Sequence, residues 1–306
     1  MQLKNLYESQ QLDREVINQL CSSADDIRQH PSDYRTSLNG IVLATLFYEP
    51  STRTRLSFEA AMLKLGGNKI TTENAAEFSS AVKGESLEDT IRVVSKYADC
   101  IVLRHKTEGM AQRAAELSTV PVINAGDGKG QHPTQALTDV YTIQREVGRL
   151  DNLTVAMVGD LAYGRTVRSL SYLLAKFREN KLIFVSPPHL RVGEDIKEYL
   201  EKHSTKFAEQ TDLDEIFSLA DIIYMTRVQK ERMLPGEYEA ARGKLAITEG
   251  NLPQVRDAAR ILHPLPHNEE INLSVETEQK DARVAYFRQA ENGLYIRMAL
   301  LLHLLK

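Results

Sequence analysis

The chain has 306 residues, 38 Lys and Arg against 42 Asp and Glu, and a formal net charge of -4. Its hydrophobic fraction of 42%, charged fraction of 26% and mean hydropathy of -0.34 exclude a disordered, collagen-like or membrane-spanning polypeptide. The near-neutral balance, with no dense Lys/Arg block, argues against nucleic acid as the main ligand. At roughly 150 residues per domain, two domains are expected, each large enough to bury its own core.

Met1-Gln2-Leu3-Lys4-Asn5 has no basic stretch running into an apolar one, so no secretory signal is expected and the cytoplasm is the expected location. Short apolar runs at 41–47, 100–103, 120–123, 153–158, 182–185, 222–225 and 261–262 alternate with longer helical patterns. Strands that are apolar throughout are buried on both faces, and right-handed crossover helices join them into parallel sheets. The expected class is therefore α/β, with two doubly wound parallel-sheet domains. The longest apolar run is far short of the roughly 20 residues that span a bilayer. Cys21 and Cys100 form no CxxC pair and read as reduced structural thiols, not as a disulfide or zinc site.

The first strand runs into Glu49-Pro50-Ser51-Thr52-Arg53-Thr54-Arg55, followed by a helical run closed by Gly66-Gly67. Ser51 can cap this helix. A helix N-terminus offers unpaired N–H groups and about half a positive charge, and two hydroxyl residues and two arginines add donors there, which suits phosphate. A surface helix whose arginines pair with carboxylates would use the same residue types. Glu77 to Ser86, with Lys83 and Gly84, is polar and reads as a mobile loop. Arg104-His105 closes the next strand, and Gln131-His132-Pro133-Thr134-Gln135 follows a glycine-rich break at 124–130. Such donors suit a carbonyl oxygen that gains charge in a transition state.

Beyond the break, Gly159-Asp160-Leu161-Ala162-Tyr163-Gly164-Arg165-Thr166 opens a helix after a strand. It lacks the G-x-G-x-x-G spacing, and Arg165 stands where close pyrophosphate approach wants a small residue, so no dinucleotide cofactor is expected. Arg227 follows the strand at 222–225, and its planar fork suits a carboxylate. Lys230, Glu231 and Arg232 read as a solvated charge run. His263-Pro264-Leu265-Pro266-His267 is a rigid turn whose carbonyls could accept from an amide NH₂, and one Leu-Pro bond in it could be cis. The segment 290–306 reads as a terminal helix docking back on the first domain.

In this order the segments resemble the aspartate carbamoyltransferase family over essentially the whole chain. The likeness rests on FYEPSTRTRLSFE at 47–59, KGE at 83–85, LRH at 103–105, NAGDGKGQHPTQ at 124–135, MVGDLAYGRT at 157–166, MTRVQKER at 225–232 and HPLP at 263–266. It implies a carbamoyl phosphate domain (1–134 plus 290–306) and an aspartate domain (135–289), with the active site in the cleft between them. Ser51, Thr52, Arg53 and Thr54 would hold the phosphate, and Arg104, His132 and Thr54 would polarise the carbonyl oxygen. Gln135 and the carbonyls of Leu265 and Pro266 would hold the carbamoyl NH₂. Arg165, Arg227 and Gln229 would grip L-aspartate, as would Lys83, which together with Ser79 would come from the neighbouring subunit of a homotrimer. No metal or other cofactor is implied, and regulatory chains are partners that the resemblance admits.

Two departures bear on the acceptor. His267 stands where the family usually has an arginine, and Ala162 replaces a lysine that helps to hold the loop around Glu237 in place. They put aspartate affinity in question and imply a greater sensitivity of activity to pH between roughly 5 and 8. An ornithine carbamoyltransferase would share the phosphate motif but carry a cysteine at position 264, which is Pro here. A catalytically weak paralogue would bind carbamoyl phosphate without turnover.

Overall fold

The computed structural model describes residues 3–73, 75, 84–227 and 245–306. The backbone divides into two compact units, Met1–Thr138 with Glu291–Lys306, and Asp139–Ala290. Both divisions fall inside helices.

In the first unit, helix α1 (Arg14–Gln29) starts where the Asp13 carboxylate accepts the N–H of Val16 at 2.8 Å. A parallel sheet follows with strand order β2 (Asn68–Glu73), β1 (Val42–Phe47), β3 (Cys100–His105) and β4 (Val122–Asp127). Leu6 pairs with the outer edge of β4. Helix α2 (Thr52–Lys64) connects β1 to β2, α3 (Leu87–Val94) precedes β3, and α4 (Met110–Leu117) connects β3 to β4. Ala44, Leu46, Ile91, Ile101, Leu103 and Val122 pack one core. Each fully buried aliphatic chain contributes about 2 kcal/mol.

Helix α2 ends where its sequence predicts. Gly66 N–H reaches the carbonyl of Leu63 at 3.1 Å and Gly67 N–H that of Met62 at 3.0 Å, a left-handed helix stop. Gly66 has φ of +86°, and a Cβ there would lie 2.3 Å from the carbonyl oxygen of Arg35.

The second unit has a five-stranded parallel sheet ordered β10 (Arg260–Leu262), β8 (Ile222–Met225), β5 (Thr154–Val158), β6 (Lys181–Val185) and β7 (Lys206–Gln210), with a small parallel pair of β11 (Ile271–Asn272) and β9 (Ile247–Thr248). Helix α5 (Pro133–Val147) leads into it, α6 (Arg165–Leu174) and α7 (Glu194–Lys202) follow β5 and β6, and α8 (Val275–Lys280) and α9 (Tyr286–Leu305) close the chain. Ala156, Val158, Ile183, Val185, Ile223, Met225 and Ile261 line its core.

Strands β2 and β7 do not appear as apolar runs in the sequence, because both lie at sheet edges and are partly or largely exposed, so nothing selects for apolar residues on both faces. The initial segment of α9 lies four residues ahead of the expected start at 290. Within the first unit, Arg28 holds α9 through Asn292 at 3.0 Å and Glu291 at 2.7 Å, and its guanidinium lies 4.6 Å from the ring centre of Tyr295.

Candidate active site

The N-terminal end of α2 is left open by its own residues. Ser51 occupies the cap position with extended φ and ψ of -159° and 96°, yet its hydroxyl makes no capping hydrogen bond, and no acidic residue sits in the first turn. This corrects the expected cap and leaves the terminal N–H groups available to an anion. Thr52 and Arg53 are exposed and Thr54 is buried. Arg53 has no carboxylate partner among the described residues, and crowding by protein atoms lowers the pKa of its guanidinium, which stays charged at neutral pH.

Arg55 does not join this spot. It pairs with Glu59 at 3.2 Å and Glu73 at 2.6 Å, so only one of the two arginines of the motif is free for phosphate. Spacing alone shows both on the same helix, and only the position of β2 reveals which one is occupied.

Parallel register sets Phe47 opposite Arg104, and Tyr48 N–H donates to the Arg104 carbonyl at 2.8 Å. The guanidinium of Arg104 is then held at two points, donating to the carbonyl of Ala125 at 3.2 Å and pairing with Glu49 at 3.1 Å, with its side chain 12% exposed. Glu49 stands two residues after the end of β1, a position the motif shares but whose pairing with Arg104 only the fold reveals. His105 is not a donor to a ligand through Nδ1, which accepts the N–H of Thr107 at 3.0 Å, and burial lowers its pKa.

His132 is buried ahead of α5, its Nδ1 lies 3.3 Å from Thr134 Oγ1, and its carbonyl accepts the N–H groups of Gln135 and Ala136. Gln135 is partly exposed in the first turn. The loop before it is tied by Asp127, which accepts from Gln131 N at 2.9 Å, Gly109 N at 3.0 Å and Asn124 Nδ2 at 3.1 Å. The glycine-rich composition marks the loop but not this carboxylate scaffold.

In the second unit, β5 and β8 are neighbours with Val158 opposite Met225, so Arg165, the first residue of α6, and Arg227 follow adjacent strand ends. Thr226 fixes that edge by donating both its N–H and its hydroxyl to the carbonyl of Val158, each at 2.8 Å. Gly159 has φ of +116°, and a Cβ there would stand 2.3 Å from the Thr226 carbonyl oxygen, so only glycine fits. Both arginines are half-buried.

The turn after β10 carries the cis bond at Leu265-Pro266, and Leu265 adopts φ of +53°. His267 lies 3.1 Å from Glu278 through Nε2 and packs edge-on against Tyr286, with ring centres 5.4 Å apart. Glu278 also accepts from the Tyr286 hydroxyl. An arginine at 267 would meet the same carboxylate, so His267→Arg is expected to leave turnover and substrate affinity close to those of the natural chain. Parallel steady-state assays of the two chains check this; a large gain in the variant would mean that the imidazole limits the natural chain.

Ser79, Lys83, Gln229 and Glu237 lie outside the described residues. Ala162 is half-buried in the loop before α6. Among the described residues no group of three or more His, Cys, Asp or Glu could hold a metal ion, and no helix is long and apolar enough to cross a membrane.

These features define a two-unit parallel α/β chain with an uncapped helix N-terminus at one strand edge and arginines at another. Two family models match it: "Aspartate/ornithine carbamoyltransferase, carbamoyl-P binding domain" over residues 4–145 and "Aspartate/ornithine carbamoyltransferase, Asp/Orn binding domain" over 151–304. The chain belongs to the aspartate/ornithine carbamoyltransferase family. It is 56% identical to aspartate carbamoyltransferase 1, chloroplastic, of Pisum sativum, over 98% of this chain and 78% of that one. Among solved structures it is similar to the catalytic subunit of M. jannaschii aspartate transcarbamoylase, with a TM-score of 0.90 and 46% identity over 99% and 98% of the two chains. It is also similar to aspartate transcarbamoylase from Trypanosoma cruzi in complex with carbamoyl phosphate and aspartate, with a TM-score of 0.91 and 35% identity over 99% and 96%.

Proposed function

We propose that the chain transfers the carbamoyl group of carbamoyl phosphate to the amine of L-aspartate, giving N-carbamoyl-L-aspartate and phosphate. The observation that carries the reading is the uncapped N-terminus of α2, with Arg53 beside it and Arg104 at the end of the next strand. Ser51, Thr52, Arg53 and Thr54 are assigned to the phosphate. Arg104, His132 and Thr54 are assigned to the carbonyl oxygen, and Gln135 with the carbonyls of Leu265 and Pro266 to the carbamoyl NH₂. The aspartate amine attacks the carbamoyl carbon, the oxygen of the tetrahedral intermediate is held by the fixed donors, and the C–O bond to phosphate breaks as phosphate takes the amine proton.

Arg165 and Arg227 are assigned to the aspartate carboxylates. Removing one charged fork from a carboxylate costs about 2–3 kcal/mol, so Arg227→Ala is expected to raise the aspartate KM roughly 30- to 150-fold with carbamoyl phosphate affinity unchanged. An equal weakening of both substrates would remove Arg227 from the acceptor site. Steady-state assays with saturating L-aspartate or L-ornithine test the whole reading: rapid formation of N-carbamoyl-L-aspartate supports it, and product only with ornithine, or with neither, overturns it.

The proposed assembly is a homotrimer. Leu56 and Leu63 on α2 and Ile70 on the edge strand β2 are 50%, 53% and 41% exposed, a combination that association would cover. Light scattering behind size exclusion would give three times 34.5 kDa, and a monomer would refute it. Co-purification of a second chain type would add regulatory chains. Two buried free cysteines suit a reducing compartment, and the cytoplasm is the proposed location; the pea relative is named as chloroplastic, which the cysteines do not distinguish.

A further inference from the structure

A chain of buried hydrogen bonds in the second unit ends on the turn that follows β10. Asp139 is fully buried, and its carboxylate accepts from the Tyr224 hydroxyl at 2.9 Å through Oδ2 and from Gln289 Nε2 at 2.6 Å through Oδ1. Gln289 uses its other end, Oε1, to accept the backbone N–H of His263 at 2.9 Å. The imidazole of His263 is thereby fixed in turn: Nδ1 accepts the N–H of Leu265 at 2.8 Å, so Nε2 carries the proton and donates to Glu270 at 2.9 Å. Glu270 also accepts the N–H of Asn268 at 2.9 Å, on the far side of the turn.

Each member has a defined role as donor or acceptor. Burial, with Asp139 adding to it, raises the pKa of Tyr224 well above its ordinary value, so the phenol stays a donor. Burial opposes the charge of Glu270, but His263 and the neighbouring N–H groups outweigh it and lower its pKa. A fully connected polar chain inside a core specifies one geometry, whereas apolar replacements would often be as stable. The geometry that this one specifies is that of the Leu265-Pro266 backbone.

We propose that Asp139 and Gln289 are positioning residues for the reaction, holding the 263–267 turn so that the carbonyls of Leu265 and Pro266 stay in place as acceptors for the NH₂ of carbamoyl phosphate. The inference rests on the reading given under Proposed function. Gln289 is buried, and acts through the His263 backbone.

The test uses charge exchange inside the pair. Gln289→Glu sets two carboxylates against each other and is expected to lower kcat at least roughly tenfold, as displaced positioning groups do. Adding Asp139→Asn restores both of these bonds, because the new amide can donate to Glu at 289 and accept from Tyr224, and is expected to return kcat to near the natural value. Calorimetric titration supplies the second readout: the single variant is expected to bind carbamoyl phosphate more weakly and inorganic phosphate, which has no NH₂, as before. Tyr224→Phe removes one donor to Asp139 and gives a milder form of the same pattern if Gln289→Glu does not fold. Equal weakening of both ligands, or lower thermal stability with unchanged kcat, would overturn the inference. Absence of N-carbamoyl-L-aspartate from the natural chain would instead overturn the reading on which it rests.

Discussion

Arg104→Ala is expected to lower kcat for N-carbamoyl-L-aspartate formation roughly 10²- to 10³-fold, the usual loss when one fixed donor to a developing oxyanion is removed. The structure explains why this donor is fixed. Arg104 is the penultimate residue of β3, opposite Phe47, and its guanidinium is held by Glu49 at 3.1 Å and the Ala125 carbonyl at 3.2 Å. Such a fork is oriented before substrate arrives, so little reorganisation is required as charge develops. Arg104→Lys keeps the charge but not the planar fork, and recovers only part of the rate. Glu49→Gln weakens the orientation without removing the donor and is expected to have a smaller effect. Turnover measured beside thermal unfolding separates these cases. A kcat for Arg104→Ala within a few-fold of the natural value, in a folded protein, would remove Arg104 from the chemistry.

The largest expected effect on stability is at Glu59. Its carboxylate is almost fully buried on α2 and gathers Arg55 at 3.2 Å, Thr71 at 2.8 Å, Thr45 at 3.2 Å and Lys69. Glu59→Leu leaves Lys69 without this partner and takes an acceptor from the buried Thr45 hydroxyl, and is expected to cost about 1–3 kcal/mol. Guanidinium unfolding of the natural chain and the variant gives the difference directly.

The same site sets a pH dependence. Burial opposes the charge of Glu59, but hydrogen bonds from Lys69 and Thr71 and the charges of Lys69 and Arg55 outweigh it, so the folded pKa lies below the ordinary 4.5. The unfolded chain then binds more protons than the folded one as pH falls toward and below that value. The contribution is complete above roughly pH 5.5 and is lost as pH falls through the folded pKa. Glu146, held below its usual range against burial by Arg288 and Arg260, adds in the same direction in the second unit. Stability of the natural chain is therefore expected to fall as pH drops below the ordinary carboxylate value of 4.5, and Glu59→Gln to show a shallower fall. An identical slope in the variant would mean that Glu59 titrates alike in both states.

The sequence by itself determined the α/β class, the central strands of both sheets and the strand ends at which the chemistry collects. Buried parallel strands must be apolar on both faces, and helices must start and stop with recognisable caps, so β1, β3, β5, β6 and β8 and the stop at Gly66-Gly67 are legible in one dimension. The family likeness was legible for a related reason: residues that grip phosphate and carboxylate are few in kind and stand in contiguous motifs. Edge strands β2 and β7 escaped, since exposure on an edge leaves them polar.

Only the tertiary structure decided what each polar group does. Arg53 and Arg55 are two positions apart and chemically identical, but β2 brings Glu73 to Arg55 and no described carboxylate to Arg53. Ser51 occupies a cap position without capping, and Glu49 turns out to orient Arg104. The buried pairs Tyr224 with Asp139 and Gln289 with Asp139 span 85 and 150 residues of chain. Hydrophobic burial follows from local pattern because it has no direction, whereas a hydrogen bond requires a particular donor and acceptor within about 3 Å, and sheet register and helix packing alone bring distant residues that close.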